Sequence, residues 1–483
     1  MSTPITAPPP PPFDERLVPQ AVAVLRAERR ARRTGVPLPA GSRGPSWRNT
    51  YATLADPLRL LLDHRRRFGP VFTIRTVHEP VVWAIGAPEN HQILVSDADA
   101  YQWRESRFGD LHPVLGDGML NIDGQLHHQL RRLMLPAFHR EQVEAVADIM
   151  VSEGARAADR LEPGAEIDLY AWTRELALRI ALRGLLGLRE GDSRAPALAD
   201  AFERALGLYG HPFVVQLLRG PRTPYATAQR ACGELDALVR ALIDDHRAQG
   251  ADAPGVLGLL LGATDADGQP LDEQLVRDQL VTLLFAGHDT TTATLTFMMY
   301  ELGRTPAARA AVRTELAEVL GDRDPRAGEL DGTTLPVLER TLDETLRRYP
   351  AAWVGPRRTV RDTEISGVKV PAGIAVHYCS WATHHLPELF PDPLAFAPDR
   401  FLPERAKALP KGAYVPFGGG SRMCLGKRFG QYELRALAAV LLRRVDLDPD
   451  AGDAPRITTT PTLGPRGGLR FAVNAPTGRS TSP

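Results

Sequence analysis

The chain has few cysteines, no excess of either charge and no long apolar run free of polar residues, and each of these absences removes a class of function. Its three cysteines, Cys232, Cys379 and Cys424, are scattered through 483 residues. They are too few and too far apart for a disulfide framework or a multi-cysteine zinc site, and a reducing cytoplasm suits such usage. Lysine plus arginine and aspartate plus glutamate both number 58, so the formal charge is zero. Nothing global therefore directs the protein to nucleic acid or to an anionic membrane. The most apolar long stretch, residues 280–302, holds His288, Asp289 and three threonines at its middle. Such groups are costly in hydrocarbon, so the stretch reads as a buried helix and not as a membrane anchor. No basic start followed by an apolar core marks a signal peptide. No repeat of fixed period stands out, and no dinucleotide fingerprint, flavin module or further cysteine cluster follows Gly426.

What is present is mostly helical periodicity. It predicts helices over residues 57–68, 125–136, 140–161, 171–188, 195–208, 225–249, 272–303, 306–320, 335–348 and 425–445. Strands are few, at 71–76 with 81–85, 363–365 with 375–378, and 469–473, and are expected to make one small mixed sheet. Residues 384–415 are proline-rich and aperiodic, an irregular crossing of the kind that normally argues against an element assignment. The organisation expected is a disordered lead-in at 1–37 with its proline run at 8–12, one domain over 38–475, and a tail at 476–483.

Two segments carry chemistry. The run FGGGSRMCLG ends a loop and sets Cys424 just ahead of a long amphipathic stretch, at the N-terminus of a predicted helix. There the helix dipole and unpaired backbone N–H groups lower a thiol's pKa and hold the anion, a good ligand for a metal. Glycines at 418, 419, 420 and 426 let backbone amides approach the sulfur. The second segment, Ala286-Gly287-His288-Asp289-Thr290, lies mid-way along the longest predicted helix. Ala286 and Gly287 remove bulk from one face, and the Thr290 hydroxyl can bond back to the carbonyl of residue 286, which competes with the helix ladder. The Asp289 carboxylate beside it can pass protons.

Filled by Phe417, Gly420, Arg422, Cys424 and Gly426, the spacing Phe-x-x-Gly-x-Arg-x-Cys-x-Gly resembles the haem-binding signature of the cytochrome P450 family, and the likeness runs from about residue 38 to 471. The second segment resembles that family's oxygen-activation motif. The resemblance implies a mainly α fold with a small β-rich lobe, and a haem b held between the oxygen-activation helix and the cysteine-loop helix. Cys424 would be the iron ligand, with Phe417 and Gly418 in its loop. His127 and Arg131, four apart on one helix face, match the family's His-x-x-x-Arg pair and would hold the haem propionates together with Arg422 and Arg357, Arg358 being the alternative to the last. Glu344 and Arg347 would form a buried triad with Arg400 that fixes the irregular crossing.

The implied reaction is a monooxygenation, in which one oxygen atom from O2 enters an apolar small molecule such as a terpenoid, polyketide, macrocycle or fatty acid. Electrons would come from a separate ferredoxin or flavodoxin with its NAD(P)H-dependent reductase, docking on a basic surface near Lys427, Arg428, Arg132 and Arg140. By family position the substrate pocket includes Trp103, Phe108, Leu111, Leu283, Trp353, Val354 and Leu463. A soluble cytoplasmic monomer without a membrane anchor is expected. A peroxide-driven peroxygenase and a non-catalytic haem-thiolate sensor are the rival readings, and the Asp289–Thr290 pair speaks against both.

Overall fold

The computed structural model describes residues 35–42, 47–76, 79–106, 111–211, 213–216, 218–249, 255–264, 268–450, 452, 454–460 and 462–475. The lead-in expected at 1–37 lies outside these residues except for 35–37, and the tail 476–483 lies wholly outside.

The longest helix, Glu273–Arg304, starts where the Asp272 side chain accepts the N–H of Gln274. From residue 275 to 302 it is buried on every side except at Ala286, Gly287 and Thr290. Helices Leu169–Gly184 and Lys427–Arg444 both pack against it. Helix Arg140–Ala158 closes on Lys427–Arg444 at Gly154, where a Cβ would stand 2.7 Å from a methyl of Leu437. These helices share one large apolar core, and a second core forms around Trp83 and Trp353.

The main sheet has the strand order Val71–Arg75, Pro80–Ala84, Ala375–Tyr378, Gly355–Thr359, Tyr101–Gln102, with one parallel pair, Pro80–Ala84 against Ala375–Tyr378. Two sequence expectations fail here. Residues 363–365 do not join 375–378 but fold back on Val368–Val370, through a turn at Ser366 (φ 46°) and Gly367 (φ 81°). Strand Arg470–Asn474 lies outside the main sheet, in a separate three-stranded sheet with Glu166–Asp168 and Asp446–Pro449. The burial pattern gives the reason: Ala375–Tyr378 is buried at every residue, as a central strand must be, whereas Arg470–Asn474 buries only Phe471 and Val473, one face, against the helical core.

The irregular crossing is held from the middle of helix Pro336–Arg348. Glu344 and Arg347 are fully buried and bonded twice, Nε to Oε2 at 2.7 Å and Nη2 to Oε1 at 2.9 Å. Arg347 also donates to the carbonyls of His384 (3.0 Å), Pro393 (2.9 Å) and Ala395 (3.3 Å). Arg400 reaches Glu344 at 3.4 Å, and Ala397 N–H donates to the same carboxylate at 3.0 Å. An apparently structureless stretch is thus ordered by side chains that satisfy its carbonyls, in place of a backbone ladder. It leads into the cysteine loop, which Gly418 (φ 70°) and Gly420 (φ 61°) turn sharply. A Cβ on Gly420 would lie 2.1 Å from the carbonyl oxygen of Leu94, so the loop rests directly on the π-helical turn Gln92–Ser96.

Candidate active site

A cavity of about 1590 Å³ lies between the long helix and the cysteine loop. A pocket for one small molecule typically measures about 300–1,000 Å³, so this one has room for a large cofactor and a substrate together. On one side open Ala286, Gly287 and Thr290, and across from them Phe417, Gly418, Cys424 and Gly426. Of the three cysteines only Cys424 is on the wall. Cys379 is buried and its sulfur accepts the N–H of Ala382, and Cys232 is half-buried on helix Pro224–Gln249.

Cys424 has open surface, yet burial dominates its chemistry because that surface faces the cavity. Burial raises the thiol pKa, against the opposing pull of Gly426 N–H, Arg131 and Lys427. The lowered value expected from a helix N-terminus is not met. The helix proper begins at Lys427 with Gly426 as its cap, which leaves Cys424 two residues ahead of the dipole's positive end. A sulfur so placed is held as thiolate by a bound cation.

The hydrogen-bond donors around the cavity complete the test of whether a haem fits. His127, Arg131 and Arg422 all line it. Burial, and then Arg422 and Arg131, push the His127 pKa down to about 3. Arg422 is lowered to about 10, first by burial and then by Arg357 and Arg131, although it pairs with Asp123 and donates to Ile122 O at 2.8 Å. Arg131 has no carboxylate partner among the described residues, and the Cys424 sulfur is what favours its charge. Arg131 and Arg422 have between them a single carboxylate partner, Asp123, and the neutral His127 can donate a hydrogen bond, so two propionates would supply the acceptors this group lacks. The donor set and the thiol together fit a haem.

Arg357 stands off the wall. It is 3% exposed, and its guanidinium stacks on Trp103 at 3.7 Å from the ring centroid. Arg358 lines the cavity and pairs with Glu79 at 2.9 Å. Trp103, Leu111, Leu283, Trp353 and Val354 line the cavity. Leu463 does not: its N–H donates to Ala351 O (3.0 Å) and its side chain is fully buried in the second core. Phe108 lies outside the described residues.

Thr290 Oγ1 donates to Ala286 O at 2.7 Å, and Thr292, Thr294 and Thr296 bond back four residues in the same way. Asp289 points away from the cavity. Its Oδ1 lies 3.4 Å from Arg174 Nη2 and 3.3 Å from His288 Nδ1, and burial raises its pKa. Arg140 is tied to Glu144 (2.7 Å) and Asp331 (3.3 Å), whereas Arg132, Lys427 and Arg428 are exposed.

Two residues escaped the sequence reading. Arg174 belongs to a helix for which the sequence gives no functional signal. Glu433 lies nine residues after Cys424 and lines the cavity; it is 1% exposed, accepts the Thr291 hydroxyl at 3.0 Å and has its other oxygen without a hydrogen-bond partner. Burial raises its pKa to about 8. A charged residue on an amphipathic helix gives no sequence signal that it faces inward.

A family model described as "Cytochrome P450" matches residues 50–469. Cyclooctatin synthase of Streptomyces melanosporofaciens is 34% identical over 448 residues, spanning 87% of this chain and 95% of the relative. Pentalenene oxygenase of Streptomyces avermitilis is 31% identical over 75% of this chain and 81% of its own length. A solved structure of retinoic acid-bound cyanobacterial CYP120A1 superposes with a TM-score of 0.81 at 29% identity, covering 91% of this chain and 99% of that one. The chain belongs to the cytochrome P450 family, whose members bind haem b through a cysteine thiolate, and it is a monooxygenase.

Proposed function

We propose that this enzyme oxidises a terpenoid with one oxygen atom from O2, using electrons from a separate ferredoxin or flavodoxin and its NAD(P)H-dependent reductase. One observation carries this reading: in a helix otherwise buried from residue 275 to 302, the three open positions, Ala286, Gly287 and Thr290, face the cavity that also contains Cys424. Relatives named pentalenene oxygenase and cyclooctat-9-en-7-ol 5-monooxygenase support the substrate class, as does a wall in which Leu111, Leu283, Trp353 and Val354 present apolar surface.

Cys424 would ligate the haem iron, and His127, Arg131 and Arg422 would hold its propionates, with Arg357 bracing Trp103 behind them. The haem supplies oxygen activation and transfer. Ala286 and Gly287 keep side-chain bulk away from the cavity, which would leave room for a diatomic ligand on a bound haem. Asp289, kept from solvent and raised in pKa, carries a proton toward the Thr290 hydroxyl, which hands it into the cavity. Glu344, Arg347 and Arg400 hold the crossing that sets the cysteine loop. The exposed Lys427, Arg428 and Arg132 form the docking patch for the electron donor. Monomeric action in the cytoplasm fits; no helix among the described residues is long and apolar enough to cross a membrane.

The test is the carbon monoxide difference spectrum of the reduced protein, expected to show a band at about 450 nm that Cys424→Ala abolishes; a wild-type spectrum without it refutes the reading. A terpenoid panel should then shift the Soret band. Turnover with NAD(P)H and surrogate redox partners but not with hydrogen peroxide separates the proposal from a peroxygenase. A haem-thiolate sensor would consume no reducing equivalents with any ligand.

A further inference from the structure

Arg174, on helix Leu169–Gly184, stands between two carboxylates and bonds fully to neither. Its Nη2 is 3.4 Å from Asp289 Oδ1, and its Nε is 3.6 Å from Glu203 Oε1 on helix Ala195–Gly207. Both distances exceed an ordinary charge-assisted hydrogen bond of about 2.7–2.9 Å. Arg174 Nε and Asp289 Oδ1 are buried without a hydrogen-bond partner. A guanidinium fork matches one carboxylate at a time, so a shared one is pulled from its better geometry with either. The two acids differ in setting: the Asp289 side chain is 4% exposed and that of Glu203 48%.

The other groups facing Asp289 are few. His288, on its own helix, has its pKa lowered to about 3 by burial and stays neutral. Tyr170, on the helix of Arg174, is raised to about 12, by burial first and then by the charge of Asp289. Arg174 is therefore the cation that decides how readily Asp289 keeps its proton. Helix Ala195–Gly207 also reaches the cavity, because it continues into the turn Leu208–Gly210, whose Leu208 and Tyr209 line the wall. Phe202 of the same helix packs edge-on to His288 at 5.7 Å.

We infer that Glu203 is a positioning residue for proton delivery, drawing Arg174 partly off Asp289 so that the buried acid retains its proton, and linking that acid to the helix that meets substrate. The inference rests on Asp289 being the proton carrier. Glu203 acts through Arg174, so neutralising it returns the guanidinium to Asp289 and stabilises the carboxylate.

The experiment is an infrared pH titration of the resting holoenzyme, following the carboxylic acid C=O band identified by its loss in Asp289→Asn. Glu203→Gln is expected to move the Asp289 midpoint to lower pH, a rise of about two- to fivefold in its acid dissociation constant, the scale of a half-exposed ion pair. Glu203→Asp should restore most of the wild-type value. In an Arg174→Gln background the same Glu203→Gln change should have no effect. An unchanged midpoint in Glu203→Gln overturns the inference, and so does a shift of equal size in the Arg174→Gln background, which would make Glu203 a direct electrostatic neighbour. Full coupling of NAD(P)H to product in Asp289→Asn would instead overturn the proton-carrier reading, whatever the titration shows.

Discussion

Arg347→Met tests the support of the haem loop most directly, because it keeps the side chain's bulk and removes its charge. In the wild type Arg347 bonds twice to Glu344 and donates to three carbonyls of the crossing, those of His384, Pro393 and Ala395. Without it the fully buried Glu344 keeps only Arg400, at 3.4 Å, and the Ala397 N–H, at 3.0 Å. Stranding one member of a buried pair costs about 3–5 kcal/mol, and the orphaned carbonyls add to this. A domain is stable by only about 5–15 kcal/mol, so the loss is a large share of the total. It falls on the segment that delivers Tyr414 and Val415 to the cysteine loop, where Tyr414 bonds to Asp343 at 2.9 Å and Val415 N–H to His384 Nε2 at 3.0 Å. The purified variant should contain well under half the wild-type haem-to-protein ratio and unfold at lower denaturant. Combining it with Glu344→Gln should be milder than the single change, because no unpaired charge then remains. Full haem content with an unchanged midpoint, or a double variant worse than the single one, would refute this account of the triad.

Three further outcomes are expected. Arg131→Ala removes a charge-assisted bond worth about 1.5–3 kcal/mol and should speed haem transfer to apomyoglobin by about 10- to 100-fold; an unchanged rate would remove Arg131 from the propionate site. Glu433 has its folded-state pKa raised to about 8. Its stabilising contribution is therefore present below the ordinary carboxyl value and lost as pH rises through about 8. Glu433→Gln should flatten the pH dependence of the denaturant midpoint between pH 5 and 9 and make the variant relatively more stable at the alkaline end, and parallel curves would contradict this. Asp289→Asn should lower product formed per NAD(P)H and cut turnover by about 100-fold or more while leaving the carbon monoxide spectrum intact; undiminished coupling would show that the proton travels elsewhere.

Much of this enzyme can be read from the chain because its elements follow local rules. Helix Pro57–Phe68 begins at a proline behind a capping Asp56, and its predicted span of 57–68 matches. The expected span of 272–303 lies within one residue of the long helix at each end, since Asp272 caps it and apolar residues continue to Leu302. The Thr290 back-bond to residue 286 follows from their spacing alone, and the pairing of Glu344 with Arg347 from their separation by three residues on a helix.

The failures share a cause. The resemblance implies that Leu463 lines the substrate pocket and that Arg357 meets a propionate, but Leu463 is drawn into the second core and Arg357 stacks on the face of Trp103. The strands at 363–365 and 469–473 pair differently from the expectation because short strands carry no label for their neighbours, and the choice depends on which faces become buried.

The sequence by itself determined the chemistry available to this protein: a cysteine in a glycine-bounded loop, an acid and an alcohol mid-helix, and helices of definite length, all set by spacing and capping within a few residues. Only the tertiary structure decided the electrical environment of those groups. It turned Asp289 toward Arg174, buried Glu433 against Thr291 and left Arg131 facing a cavity without an acid partner among the described residues. Burial and charge pairing are properties of residues distant in sequence brought within a few ångströms, so no local pattern encodes them.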